Sequence, residues 1–276
     1  MQRNKTPNNP TLSYSLDDGE TWTTTTISGT VTFGTINTGQ KIIFKGNNKR
    51  LATAWDTYNY FNATKQFKVY GNVMSLLFGD NFVNNSEFFG EGTTHNFAGL
   101  FYGRTTLIDA SNLILPALTC TTSCYNGMFR GATNLVYGPK LLPALDVPQD
   151  GYSSMFEGCT SLVEAPEILA TTVSGNTALN RMFCMNRNSK VTAAMTKGPI
   201  LRITNTSDYS NTYQQLFCGN GNLVEITILR SGTSLSFTNW LNNVSSTGVI
   251  KTLSGTTFTS GVNGLPSGWT TETYVE

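Results

Sequence analysis

The sequence predicts an α/β repeat protein, a solenoid whose units of roughly 27 residues each supply a short strand and a short helical turn, preceded by a β-rich cap. Two observations predict it. A phenylalanine recurs at Phe101, Phe129, Phe156, Phe183 and Phe217, and a leucine follows six residues later at Leu107, Leu135, Leu162 and Leu223. A second apolar landmark, Leu115, Leu142 and Leu169, recurs at intervals of 27 residues. Two landmarks on one period imply units that stack, because a single unit cannot cover its own apolar face. Adjacent strands about 4.8 Å apart would then bury Phe on Phe and Leu on Leu.

Each element has a local reason. In GYSSMFEGC, small polar residues lead into an apolar pair and then Gly, which predicts one or two helical turns ended by a left-handed cap. In TSLVEAP, a short apolar run stopped by Pro predicts a strand. The copy that begins at Arg181 departs from the pattern. It carries Val191 at a shifted position in place of the leucine, and 34 residues separate Phe183 from Phe217. A degenerate sixth copy is read around Trp240 and Leu241, with Val249 and Ile250 as its apolar pair.

Before the repeats the texture differs. Residues 1–10 (MQRNKTPNNP) are polar and Pro-containing, and read as a tail that docks on a partner or on another copy of the chain. Residues 11–66 read as a β-rich cap, with alternating segments around Asp17-Asp18-Gly19 forming a hairpin and two or three further strands across residues 26–48. Residues 67–270 are the repeat region, with Leu77-Phe78 standing for Met-Phe in a first copy, and residues 271–276 are a C-terminal tail.

MFEGCTSLVEAP, LPAL and the closing GLPSGWTTETY resemble the BspA-like leucine-rich repeat proteins, with their recurrent Met-Phe-x-Gly-Cys-x-x-Leu unit, found on gut bacteria and in their phages. The match spans residues 97–270 and is best over 152–166, while the Arg181 copy loses the Gly-Cys-x-x-Leu portion. The resemblance implies a leucine-rich-repeat-type solenoid, usually non-catalytic and often adhesive.

Residues 15–22, SLDDGETW, fit Ser-x-Asp-x-Gly-x-Thr-Trp and resemble the Asp-box of sialidases and other glycan-active β-propellers. A sialidase would need several blades, an arginine cluster and a Tyr-Glu nucleophile pair. The motif occurs once, and the period of 27 is shorter than the roughly 40–50 residues of a propeller blade. Ser15, Asp17, Gly19 and Trp22 are therefore read as a hairpin turn, with Ser15 and Asp17 accepting turn amides and Trp22 packing beneath.

Composition limits the remaining classes. Eighteen basic and 17 acidic residues give a net charge of +1 with 13% charged residues, so a nucleic-acid partner is not expected. No apolar run reaches the roughly 18 residues of a membrane helix, and no apolar stretch backs the basic N-terminus as in a secretory signal. Cys120, Cys124, Cys159, Cys184 and Cys218 contain no CxxC pair and read as apolar filler, with a Cys120–Cys124 disulfide as the alternative that spacing allows. With His95 the sole histidine, no zinc site is expected, and no cofactor is implied.

Asp17 and Asp18 supply only part of a calcium loop. Among the acids that could form a hydrolytic pair (Asp17, Asp18, Glu20, Glu157, Glu164, Glu167), none stands in a motif, and Glu164 and Glu167 read as solvated. His95 reads as a loop residue, and no catalytic triad, phosphate loop or dinucleotide fingerprint occurs.

Aromatics in polar loops are the stronger binding candidates: Tyr58, Tyr60, Phe61, Tyr209 and Tyr213. The function expected is a non-enzymatic structural or adhesion module displayed on a virion or an extracellular surface. A phage head or tail fibre or a decoration protein leads this reading, binding a neighbouring subunit or a host glycan or surface protein. A homo-oligomer or larger assembly is expected, without membrane insertion. The alternatives are a secreted bacterial adhesin and, behind it, a carbohydrate-active enzyme or its accessory domain.

Overall fold

A computed structural model describes residues 1–5, 8–89, 93–204 and 211–276. Among these residues the only α-helix is the four-residue Ser75–Phe78, running into a 3₁₀ segment, Gly79–Asn84. All other regular structure is short strands in several small sheets. The α/β leucine-rich-repeat-type solenoid with a helical turn in every unit is therefore corrected to a β-class chain whose units contain turns instead of helices.

The backbone explains the correction. Left-handed residues recur at every fourth position: Gly99 and Gly103; Ser123, Gly127 and Gly131; Asp150, Ser154 and Gly158; Gln215 and Gly219. An α-helix needs an uninterrupted right-handed run, so each of these residues ends it. The peptide planes alternate instead. The N–H groups of Tyr125, Gly127, Phe129 and Gly131 donate to carbonyls of the next unit, at Gly151, Ser153, Met155 and Glu157, over 2.7–3.0 Å. The intervening N–H groups of Cys124, Asn126, Met128 and Arg130 donate to the carbonyl three residues back, over 3.0–3.2 Å. Every backbone donor of this buried stretch is thus satisfied, half within the unit and half across units.

This bonding sets adjacent units in register. The rings of Phe101, Phe129, Phe156, Phe183 and Phe217 stack with centroids 5.5, 5.3, 5.6 and 5.8 Å apart and within 12° of parallel. Leu107, Leu135, Leu162 and Leu223 are fully buried in the same core. The second landmark needs a correction. Leu142 pairs with Ile168, not Leu169, so the third rung sits one residue earlier than even spacing predicts. The long unit keeps register at the ladder, since Phe183 N–H still bonds the Leu216 carbonyl at 2.9 Å.

Short parallel pairs line the other side of each unit. Leu141–Leu142 pairs with Glu167–Ile168, and Asp146–Val147 with Thr172–Val173. Lys197–Leu201, Glu225–Ile228, Gly248–Thr252 and Trp269–Thr273 form one four-stranded parallel sheet. Val249 and Ile250 lie in that sheet, and Trp240 and Leu241 are buried. The last strand crosses the expected boundary at residue 270, so residues 271–273 belong to the sheet and not to a tail.

The cap holds two antiparallel sheets. One orders Thr23–Thr26, Thr11–Ser15 and Ile43–Gly46; the other orders Gln2–Arg3, Thr57–Tyr60 and Ala52–Ala54. Of the two or three strands expected across residues 26–48, one forms, Ile43–Gly46. The N-terminal segment packs on its own chain: Gln2 pairs with Tyr60, and Met1 is buried with its amino group bonding the Val31 carbonyl at 2.7 Å. The cap joins the stack where Phe61 N–H bonds the Leu100 carbonyl (3.0 Å) and Leu51 N–H bonds Asn96 (2.8 Å).

Cys184 and Cys218 form a disulfide, with Cα atoms 4.5 Å apart, which corrects the filler reading for these two. Cys120 and Cys124 are buried free thiols whose sulfurs lie 3.0 Å apart, and Cys159 is also free and buried.

Candidate functional site

The residue after each repeat phenylalanine occupies one equivalent position: Tyr102, Arg130, Glu157, Cys184 and Cys218. Because the phenylalanines stack in register, these side chains form a row across the units. Arg130 lies over the Tyr102 ring at 5.6 Å, and its Nε is 3.0 Å from Glu157 Oε2. That last approach is an ion contact and not a directed hydrogen bond, since Oε2 accepts no aligned N–H. Arg187 grips the other oxygen, with Nε and Nη2 each 2.6 Å from Oε1. Further along, the Cys184–Cys218 disulfide covalently joins two rungs of the row.

At the cap end the row continues through tyrosines. Tyr58 lies 5.4 Å from Tyr102 and 6.0 Å from Tyr60, forming with Ala52 and Ala98 a small apolar cluster separate from the main core. Gly99 is needed here, since a Cβ would come within 2.6 Å of the Tyr58 ring. Burial pushes the Tyr58 hydroxyl up to about 12, with Tyr102 and Tyr60 adding to the shift. Arg104 is held on two sides. Its Nε donates to the Tyr102 carbonyl at 2.8 Å, and its guanidinium lies 4.5 Å over the Tyr60 ring. Arg181, whose Nε donates to Gln215 Oε1 at 2.6 Å, flanks the other end. Burial lowers the Arg181 pKa, and the neighbouring Arg187 lowers it further.

The aromatics singled out from sequence divide sharply. Tyr60 keeps a partly exposed ring in the row. Tyr58 and Tyr213 are buried, the latter 4.8 Å from Phe237, and Phe61 packs on Phe44 and Phe101 at 4.8 and 6.1 Å. Packing in the cap and the last units thus takes Tyr58 and Tyr213 out of the binding candidates, while Phe61 is half-buried like Tyr60. Tyr209 lies outside the described residues.

Sequence reasoning missed Tyr102, Arg104, Arg130 and Arg187. The signal was present, because reading the column after each phenylalanine isolates Tyr, Arg, Glu, Cys and Cys in order.

The hairpin at residues 15–22 is a closed hydrogen-bonded turn. Asp17 Oδ1 accepts from Thr21 N–H at 2.9 Å and from Ser15 Oγ at 2.7 Å, and Ser15 Oγ accepts from Gly19 N–H at 2.8 Å. Thr21 is the main cause holding the Asp17 carboxyl down at about 2. Trp22 Nε1 donates to the Gly19 carbonyl at 3.0 Å, and Lys45 lies 3.9 Å over its ring. Asp18 turns away to Lys41 at 2.7 Å, so the two carboxylates do not converge.

The other acids are distributed over the chain. Glu164 is exposed beside Tyr137, and Glu167 is exposed 3.8 Å from Arg202. His95 takes a left-handed conformation and bonds Thr94 at 2.9 Å. No three His, Cys, Asp or Glu side chains converge among the described residues, and no helix there is long and apolar enough to cross a membrane.

Comparison with protein-family models, with curated proteins and with solved structures found no match for this chain. The functional reading therefore rests on the row itself.

Proposed function

We propose that this chain is a non-enzymatic, surface-displayed structural and adhesion module, a virion component such as a head or tail fibre or a decoration protein. Its row of tyrosine and arginine side chains binds a host surface or a neighbouring subunit. The observation that carries the reading is the alignment of Tyr60, Tyr102, Arg104 and Arg130 along the stacked units, each guanidinium held against a ring. Rigid aromatic and arginine groups are the side chains that dominate protein recognition surfaces, since little freedom is lost on binding. The Cys184–Cys218 disulfide fits the same location, because such bonds persist where the surroundings are oxidising.

The test is localisation and attachment. Antibodies to the folded chain, applied to purified particles and to cell fractions by immunogold microscopy, should label the outside of particles or cells. Recovery of the native chain solely as a free cytosolic species would overturn the reading, as would turnover of a substrate at the row.

A further inference from the structure

We propose that the row is a binding site for an anionic saccharide, a sugar chain bearing carboxylate or sulfate groups. This rests on the display reading above and names the ligand of that surface.

The charge balance is the first argument. Of the four guanidiniums Arg104, Arg130, Arg181 and Arg187, two, Arg130 and Arg187, share the carboxylate of Glu157, in a chain whose formal net charge is +1. Neither Arg104 nor Arg181 has a carboxylate within ion-pair distance among the described residues, and both are partly buried. Guanidinium is costly to desolvate without an anion, so this local surplus favours an acidic ligand.

Donor geometry is the second. Arg104 commits only its Nε to the protein, which leaves both terminal nitrogens free to grip a carboxylate or sulfate as a fork. Its plane is already fixed over Tyr60, so binding loses little side-chain freedom.

The third argument separates a sugar from other anions. Tyr60 and Tyr102 are partly exposed with Arg104 and Arg130 over one face of each ring, so each tyrosine adds its remaining ring surface and its hydroxyl to a guanidinium, a mixed apolar and polar surface suited to the C–H groups and hydroxyls of a sugar. A nucleic acid would need neutralisation of many phosphates along its length, and the near-zero net charge does not provide it.

Calorimetric titration of the full chain tests the proposal with four probes: a heparin tetrasaccharide, a tetragalacturonate, a neutral malto-oligosaccharide and a single-stranded oligonucleotide. At least one of the two anionic saccharides should bind saturably, in a salt-sensitive manner, while the neutral sugar should not. Arg104→Ala and Tyr60→Ala should each weaken that binding about tenfold or more, with Lys140→Ala unchanged and all variants melting cooperatively.

Three results would overturn the proposal: failure of both anionic saccharides to bind the folded protein, oligonucleotide binding at least as tight, or equal losses with Lys140→Ala. If particle labelling persists while no saccharide binds, the ligand assignment alone has failed. If a saccharide binds but is cleaved, the display reading has failed.

Discussion

Phe156→Ala tests the stacked core at its centre. Phe156 is fully buried, with its ring 5.3 Å from Phe129 and 5.6 Å from Phe183, and within 5° of parallel to both. The space beside it is already filled. A Cβ on Gly138 would lie 3.0 Å from the Phe156 ring edge, so the surrounding backbone is in direct contact.

Truncation removes the transfer energy of the ring and leaves a cavity. The neighbouring units cannot close it, because their spacing is set by the Phe129 N–H to Met155 and Phe156 N–H to Met182 hydrogen bonds, at 3.0 and 2.9 Å. Large-to-small changes of this kind cost about 3–5 kcal/mol, and the rigid spacing places this site toward the upper part of that range. Two aromatic contacts, each worth about 0.5–1.5 kcal/mol, contribute to it.

Urea unfolding followed by near-UV and far-UV circular dichroism would measure the change, with Phe156→Leu expected to recover part of it. A loss below about 1 kcal/mol, the size of a surface substitution, would refute the stacked-core account.

Further outcomes follow from the same geometry. Replacing Cys184 and Cys218 by Ser opens a link between residues 34 apart and should cost about 3–4 kcal/mol; the wild type in reductant should show the same lowered urea midpoint. Gly158→Ala, at φ +77°, should lose about 1–2 kcal/mol, whereas Ser154→Gly, at φ +55°, should not lower stability; paired thermal melts would show the opposite responses. The Asp17 carboxyl sits at about 2, below its unfolded value, so its contribution is present above pH 4 and is lost as pH falls toward 2. Asp17→Asn should flatten that part of the acid-unfolding curve.

How much of this was legible in the sequence depends on the distance over which each signal acts. The phenylalanine and leucine periods could be read directly, because equivalent positions in successive units carry the same side chains. The turn at residues 15–22 was equally legible, since its hydrogen bonds close within about seven residues.

The secondary structure of the repeat could not be read the same way. MFEG and MFRG have the local texture of a helical turn, and what decides against it is a set of backbone donors bonding carbonyls 26 residues away. The glycines hinted at left-handed conformations, but Ser154, Arg181 and Gln215 adopt them as well, held there by the neighbouring units. The row of candidate binding residues belongs to the same category. Sequence alone determined which residues repeat; only the tertiary register decided that Tyr60 of the cap meets Arg104, that Glu157 meets two arginines, and that Cys184 reaches Cys218. The physical reason is that inter-unit hydrogen bonds fix neighbouring chains about 5 Å apart, and side chains far apart in sequence become contacts only once that spacing is set.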